Sequence, residues 1–294
     1  MTWTNKLKKV VGLYTDPAWF AAAKAGDVAV IEAFLKSGVR VIGMTVMPGP
    51  QLEQAVPLTR RIRDSHPAVR IVWGGYFPTM YPELVLESGL VDSVVWGHGD
   101  RNLLELFVSL VSESEVPDLP GVGRVGPDGR PIVSPPPAVP DLDWLDDFPY
   151  HRIRVERYAR STFMGRRTLS HHSSYGCPFR CNFCAVVNMV DGAYSAQNAG
   201  RVARVSRRLV SEFGADSVEY YDNNFFVDEG RSREVADRIA ELDLGWWVYG
   251  RIDTMLGFAN FTWGALARSG LRMVFLGAES GSDETLKRMN KGGR

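Results

Sequence analysis

The chain has 294 residues, of which 45% are hydrophobic and 23% charged, and its 34 basic side chains balance its 34 acidic ones. That balance leaves no bulk positive field to hold nucleic acid by its phosphates, and no stretch approaches the roughly 20 apolar residues of a membrane span, so neither partner is expected. The first residues lack the long apolar core of a signal peptide and the three cysteines are unpaired by count, so a reducing cytoplasm is the expected compartment.

Residues 8–112 alternate strands and helices. Residues 10–14 read as a short apolar strand and 18–36 as a helix with Val28, Ile31, Phe34 and Leu35 on one face. Residues 39–46 are a buried-type strand. Residues 51–64 form a helix with Arg60, Arg61 and Arg63 in its last turns, where cations suit the dipole. Residues 69–73 are a strand closed by Gly74 and Gly75, and 91–96 a strand followed by Gly97 and Gly99. A helix over 101–112 ends the unit. Such alternation predicts a parallel sheet flanked by helices, with ligands outside the carboxyl ends of the strands. Those ends carry Gly49, Gly74, Gly75, Gly97 and Gly99. Glycine lets a ligand touch the backbone, or simply turns the chain.

Residues 113–165 are rich in proline, glycine and acid and read as a linker, with a turn signal at Pro127-Asp128-Gly129 that suits a small hairpin. A second domain over 166–294 opens with a strand at 167–174. A helix near 198–213 follows, then a strand at 217–221, a helix at 230–242, a strand at 246–250, a helix at 260–269 and a strand at 272–277. Four strand–helix units predict another parallel sheet, the opening of a barrel.

Cys177, Cys181 and Cys184 are the only cysteines and lie within eight positions, spaced C-x3-C-x2-C. Three clustered thiols without a fourth suit a 4Fe–4S cluster with one iron left open. Zinc, with His171 or His172 completing the ligand set, is the competing reading. Polar groups stand at the other strand ends: Asp222 and Asn223, then Arg251, then Glu279 and Ser280. Each has an ordinary structural role open to it, as a cap, a surface ion pair or a helix start.

With Phe183 just before the last cysteine, the motif resembles that of the radical S-adenosylmethionine enzymes. Residues 45–51, 71–79 and 92–100 resemble the second half of the cobalamin-binding domain that precedes the barrel in cobalamin-dependent members. The resemblance implies an α/β chain with a Rossmann-like cobalamin-binding domain over 1–112 and an incomplete radical S-adenosylmethionine partial barrel over 166–294. It implies that the three cysteines hold the cluster, and that Phe183, Asp222, Asn223, Arg251, Glu279 and Ser280 line the S-adenosylmethionine site. Thr45, Gly74, Gly75, Gly97 and Gly99 would line the cobalamin site.

Two departures concern cobalamin. The Asp-x-His-x-x-Gly motif is absent, and the stretch before residue 39 looks one strand–helix unit short. His98 is the only histidine on that edge. A third concerns the barrel, where four strands stand for the family's six. The chain therefore reads as truncated and is expected to self-associate through its last strand.

The implied function is reductive cleavage of S-adenosylmethionine by the cluster, coupled to cobalamin-dependent methyl transfer to a small-molecule or natural-product substrate. A low-potential donor such as flavodoxin or ferredoxin would supply electrons. Ring formation or rearrangement, and a cluster-binding fragment without turnover, are the alternatives.

Overall fold

The computed structural model describes residues 35–291, apart from 37, 101, 146, 151 and 152. The expected strand at 10–14 and all but the end of the expected helix at 18–36 lie outside the described residues. The chain divides into two compact units, Met1–Ala138 and Val139–Arg294.

The described part of the first unit is built on a sheet in the order β1 (Val41–Thr45), β2 (Arg70–Gly74), β3 (Ser93–Val95), β4 (Val122–Val125), β5 (Pro131–Val133). The first three strands are parallel, and β4 and β5 join antiparallel. The sheet expected to be parallel is therefore mixed, because the hairpin at the Pro-Asp-Gly turn pairs with the free edge of β3. Alternation sorts the strands onto two faces. Ile42, Ile71, Trp73 and Val94 pack on one side with Ile62 of α1 (Pro50–Ser65), and Val41, Val72 and Val95 pack on the other with Leu106 of α4 (Asn102–Ser112). The buried Trp73 indole donates to Thr59 at 3.1 Å, which satisfies its one polar atom. Two short helices absent from the expectation, α2 (Tyr76–Met80) and α3 (Pro82–Glu87), follow β2; their runs are too brief to show a helical period.

The second unit has four parallel strands in the order β11 (Leu271–Leu276), β10 (Gly245–Gly250), β9 (Ser217–Tyr220), β6 (Thr168–His171). Helix α6 (Ala199–Phe213) lies between β6 and β9 in sequence. Its start is capped by Asn198, which accepts from the Arg201 N–H, and it stops at Gly214 in the left-handed region. Val202, Val205 and Leu209 form its buried stripe and meet Val218, Tyr220, Trp246 and Val248 from the strands. Helix α7 (Glu229–Ile239) is capped by Asp228 and buries Val235 and Ile239 in the same core. Residues 113–165 are shared between the units, since β4 and β5 extend the first sheet while Tyr150 and Val155 enter the second core.

The strand expected over 167–174 is broken. β6 ends at His171, and Ser174–Gly176 forms a separate strand β7, antiparallel to β8 (Tyr194–Ala196). The cause is the wholly buried Asp222, whose carboxylate accepts from Ser173 N (2.7 Å), Ser173 Oγ (2.6 Å) and Ser174 Oγ (2.8 Å). Those bonds give the buried charge its partners and draw the chain off the sheet. No described helix is long and apolar enough to cross a membrane.

Candidate functional site

The three cysteines occupy the excursion between β7 and β8, ahead of and at the start of the short helix α5 (Ala185–Val190). Cys181 is buried, and Cys177 and Cys184 are half-buried. Burial pushes the Cys177 thiol up, while the Phe179 backbone N–H and the Arg251 charge pull it down. The loop is tied down from both sides. Cys177 N donates to Ala193 O at 3.2 Å and Cys184 N to Cys181 O at 3.1 Å. From the far end of the unit, just past α10 (Asp283–Arg288), come three more bonds. Asn182 donates from its backbone to Met289 O (3.1 Å) and from its side chain to Arg288 O (2.7 Å), and the Asn290 amide donates to Arg180 O (2.6 Å).

Arg251 follows β10, as expected for a strand-end residue. Its Nε and Nη2 form a paired contact with Asp253 at 3.0 and 2.6 Å, and its Nη1 donates to Cys181 Sγ at 3.0 Å. The guanidinium carbon stands 3.8 Å over the Phe179 ring. The fork is thus turned to the protein's own Asp253 and to the thiol. Phe179, Asn182, Asp253 and the 288–291 segment escaped the sequence reading as site-forming residues. The two-residue spacing of Arg251 and Asp253 was the available signal.

The other expected residues fall in different places. The Asp222 carboxylate holds the β6–β7 break, as described. Asn223 is exposed, with its amide 3.5 Å from Gly176 O. Asn224 beside it is wholly buried, and its amide has no partner among the described residues. Glu279 adopts a left-handed φ of 57° and pairs with Lys291 Nζ at 2.8 Å, which lies 5.8 Å over the Phe183 ring. Ser280 Oγ accepts from Ser282 N at 3.1 Å. Glu279, Phe183 and the cysteine loop are therefore brought together by the 288–291 segment.

In the first unit, Thr45, Gly74, Gly75, Gly97 and Gly99 do lie at the strand ends. Gly75 (φ 92°) is crossed by the chain itself: a Cβ there would stand 2.9 Å from Thr45 Cγ2 and 3.1 Å from the Val46 backbone. Gly97 (φ 71°) faces Pro137 in the same way at 3.0 Å, and a Cβ on Gly99 would meet Val95 at 3.0 Å. A Cβ on Gly74 would meet only ordinary contact, at 3.5 Å from Val95 O, and one on Gly49 nothing within 4 Å, so the edge is open at Gly49. Burial holds the His98 pKa down, against the charge of Asp100.

Among the described residues no three Cys, His, Asp or Glu side chains converge tightly enough to hold one metal ion. His171 Nε2 is engaged with Gln197 Oε1 at 2.8 Å, and His172 stacks between Tyr175 and Tyr221. A mononuclear zinc site needs such convergence. An iron–sulfur cluster does not, because each thiolate takes a separate iron. Three thiols on one tethered loop, the buried one facing a guanidinium, fit a cluster by donor chemistry.

Residues 15–107 match the B12 binding domain family. The chain has the fold of cobalamin-dependent radical S-adenosylmethionine enzymes. It superposes on the radical S-adenosylmethionine methyltransferase TsrM of Kitasatospora setae with a TM-score of 0.66 and 20% identity, covering 88% of this chain and 52% of that one. On the cobalamin-dependent S-adenosylmethionine radical enzyme OxsB it does so with 0.70 and 17%, covering 96% and 40%. In sequence it is 25% identical to an uncharacterized methyltransferase of Pyrococcus horikoshii over 86% of this chain and 54% of that protein. It is 24% identical to the anaerobic magnesium-protoporphyrin IX monomethyl ester cyclase of Rubrivivax gelatinosus over 95% and 51%. The chain spans about half the length of the curated relatives it matches.

Proposed function

We propose that the chain is the cobalamin-binding and cluster-binding part of a radical S-adenosylmethionine enzyme, with methyl transfer to a small molecule as its reaction. The observation that carries this reading is the tethered loop with its three thiols and its guanidinium-facing sulfur. Cys177, Cys181 and Cys184 would hold a 4Fe–4S cluster, and Glu279, Ser280, Phe183 and Asn223 would shape the S-adenosylmethionine site. Thr45 and Gly74, at the carboxyl ends of β1 and β2, would meet cobalamin. The cofactors supply the electron and the methyl group, while the protein supplies position and shielding. Without the Asp-x-His-x-x-Gly motif, cobalamin would be held with no histidine beneath the cobalt. A flavodoxin or ferredoxin is the expected donor and the cytoplasm the expected setting.

The alternative reaction, ring closure, is favoured by the match over 95% of this chain to a named cyclase.

The test begins with anaerobic reconstitution. About four irons per chain are expected by the cluster logic, and the count should collapse in Cys177→Ala, Cys181→Ala or Cys184→Ala. Added cobalamin should bind in a stoichiometric complex whose cob(II)alamin resonance shows no nitrogen splitting. Retention of full iron in the triple variant sinks the cluster assignment, and failure to bind cobalamin sinks methyl transfer.

A further inference from the structure

We propose that Arg251 is a positioning residue that tunes the cluster by donating a hydrogen bond to the sulfur of Cys181. The inference rests on the reading of the three cysteines as cluster ligands.

A guanidinium is a rigid plane with five N–H donors. Asp253 takes Nε and Nη2 of Arg251 together, at 3.0 and 2.6 Å, which fixes both the plane and its rotation. With those two nitrogens held, the directions of the Nη1 donors are fixed in the plane, and at 3.0 Å Nη1 meets Cys181 Sγ. Phe179, on the same loop as the thiol, closes the face of the guanidinium at 3.8 Å. The loop is therefore gripped through both the edge and the face of one side chain, and Arg251 is only 8% exposed.

The arrangement is directional. Arg251 and Asp253 cancel as a pair, but the positive end faces the sulfur and the carboxylate faces away. A donor aimed at a ligating thiolate stabilises the more negative form, and hydrogen bonds to the sulfurs are among the terms that set a cluster's potential. Reduction adds one negative charge, so this donor should raise the potential and ease loading of the electron. It should also fix the one cysteine of the three that is buried.

The experiment is an electron paramagnetic resonance redox titration of the reconstituted full chain. Arg251→Gln should move the midpoint potential negative by a tenfold change in the equilibrium constant or more, about 59 mV for one electron. Arg251→Lys, which keeps the cation without the fork, should recover more than half of the shift. Arg238→Gln, which removes a surface partner of Glu234, should match the parent. A parent-like potential in Arg251→Gln, with about four irons bound as the cluster reading requires, overturns the inference and leaves the cluster standing. If Arg251→Gln fails to load, Arg251→Met, which keeps the length of the stem and removes both donor and charge, decides, and a parent-like potential there overturns it as well. A parent chain that binds no iron–sulfur cluster overturns the underlying reading and this inference together.

Discussion

The Asn290 side chain donates to the carbonyl of Arg180, 2.6 Å away in space and 110 positions earlier in the chain. Asn290 has a left-handed φ of 50°, the conformation that ends α10 and turns its amide back onto the cysteine loop. Each neutral bond of this kind contributes about 1 kcal/mol. Asn290→Ala should therefore leave global stability nearly unchanged while raising the amide exchange rates of residues 180–184 several-fold. Unchanged exchange in hydrogen–deuterium mass spectrometry would show that the loop holds itself.

Asp222 separates a structural from a ligand role. Its carboxylate accepts three hydrogen bonds, from Ser173 N, Ser173 Oγ and Ser174 Oγ. Asp222→Ala leaves those donors buried and unpaired, at a cost of about 1–3 kcal/mol for each unsatisfied group. Denaturant unfolding of the ligand-free protein should show a loss of at least about 3 kcal/mol. A variant with parent stability and weakened S-adenosylmethionine binding would return Asp222 to the cofactor site.

Gly75 combines a φ of 92° with a close crossing by Thr45 and Val46. Gly75→Ala should cost about 1–3 kcal/mol from backbone strain, and more if the β1 loop cannot give way. The reading is of packing rather than of a ligand cradle, so the loss should appear in melting experiments without cobalamin. Gly49→Ala meets no neighbour within 4 Å but carries a φ of 82°, so it should show the strain without the clash.

His171 lies edge-on to Tyr220 with ring centroids 6.2 Å apart. Burial holds its pKa below the ordinary imidazole value, more than the Gln197 hydrogen bond and the Asp222 charge raise it. The unfolded chain then binds more protons than the folded one below the ordinary value of about 6.5. Stability is complete above that pH and falls as the pH drops, until the folded-state pKa is passed. His171→Gln should flatten the melting temperature profile below about pH 6.5, the ordinary imidazole value. A slope identical to the parent's would assign the acid sensitivity to other groups.

Much of the scaffold was legible because it follows local periodicity. Strands β1, β2, β9, β10 and β11 and helices α1, α4 and α6 fall within a few residues of the expected spans. The break after His171 was not legible, because its cause is Asp222, 49 positions away. The antiparallel joining of β4 to β3 is likewise a pairing choice that no local pattern encodes. At the site, the cysteine spacing announced the thiols, but the contact of Arg251 with Asp253 was not legible. A guanidinium at a strand end suits a ligand carboxylate, and nothing in one sequence says that Asp253 reaches it first. The glycines at the first sheet's edge show the same limit, since the neighbours that explain Gly75 and Gly97 are apparent only once the chain is folded.

The thiols are neighbours along the chain, within eight positions, whereas Arg251 and Asn290 arrive from 70 and 110 positions downstream of their loop partners. During synthesis the three thiols would emerge well before the residues that grip them, at the ribosome's ~5–20 residues per second. Maturation would then have two stages: capture of iron and sulfide by a loose loop, and a later tightening that gives the cluster its working properties.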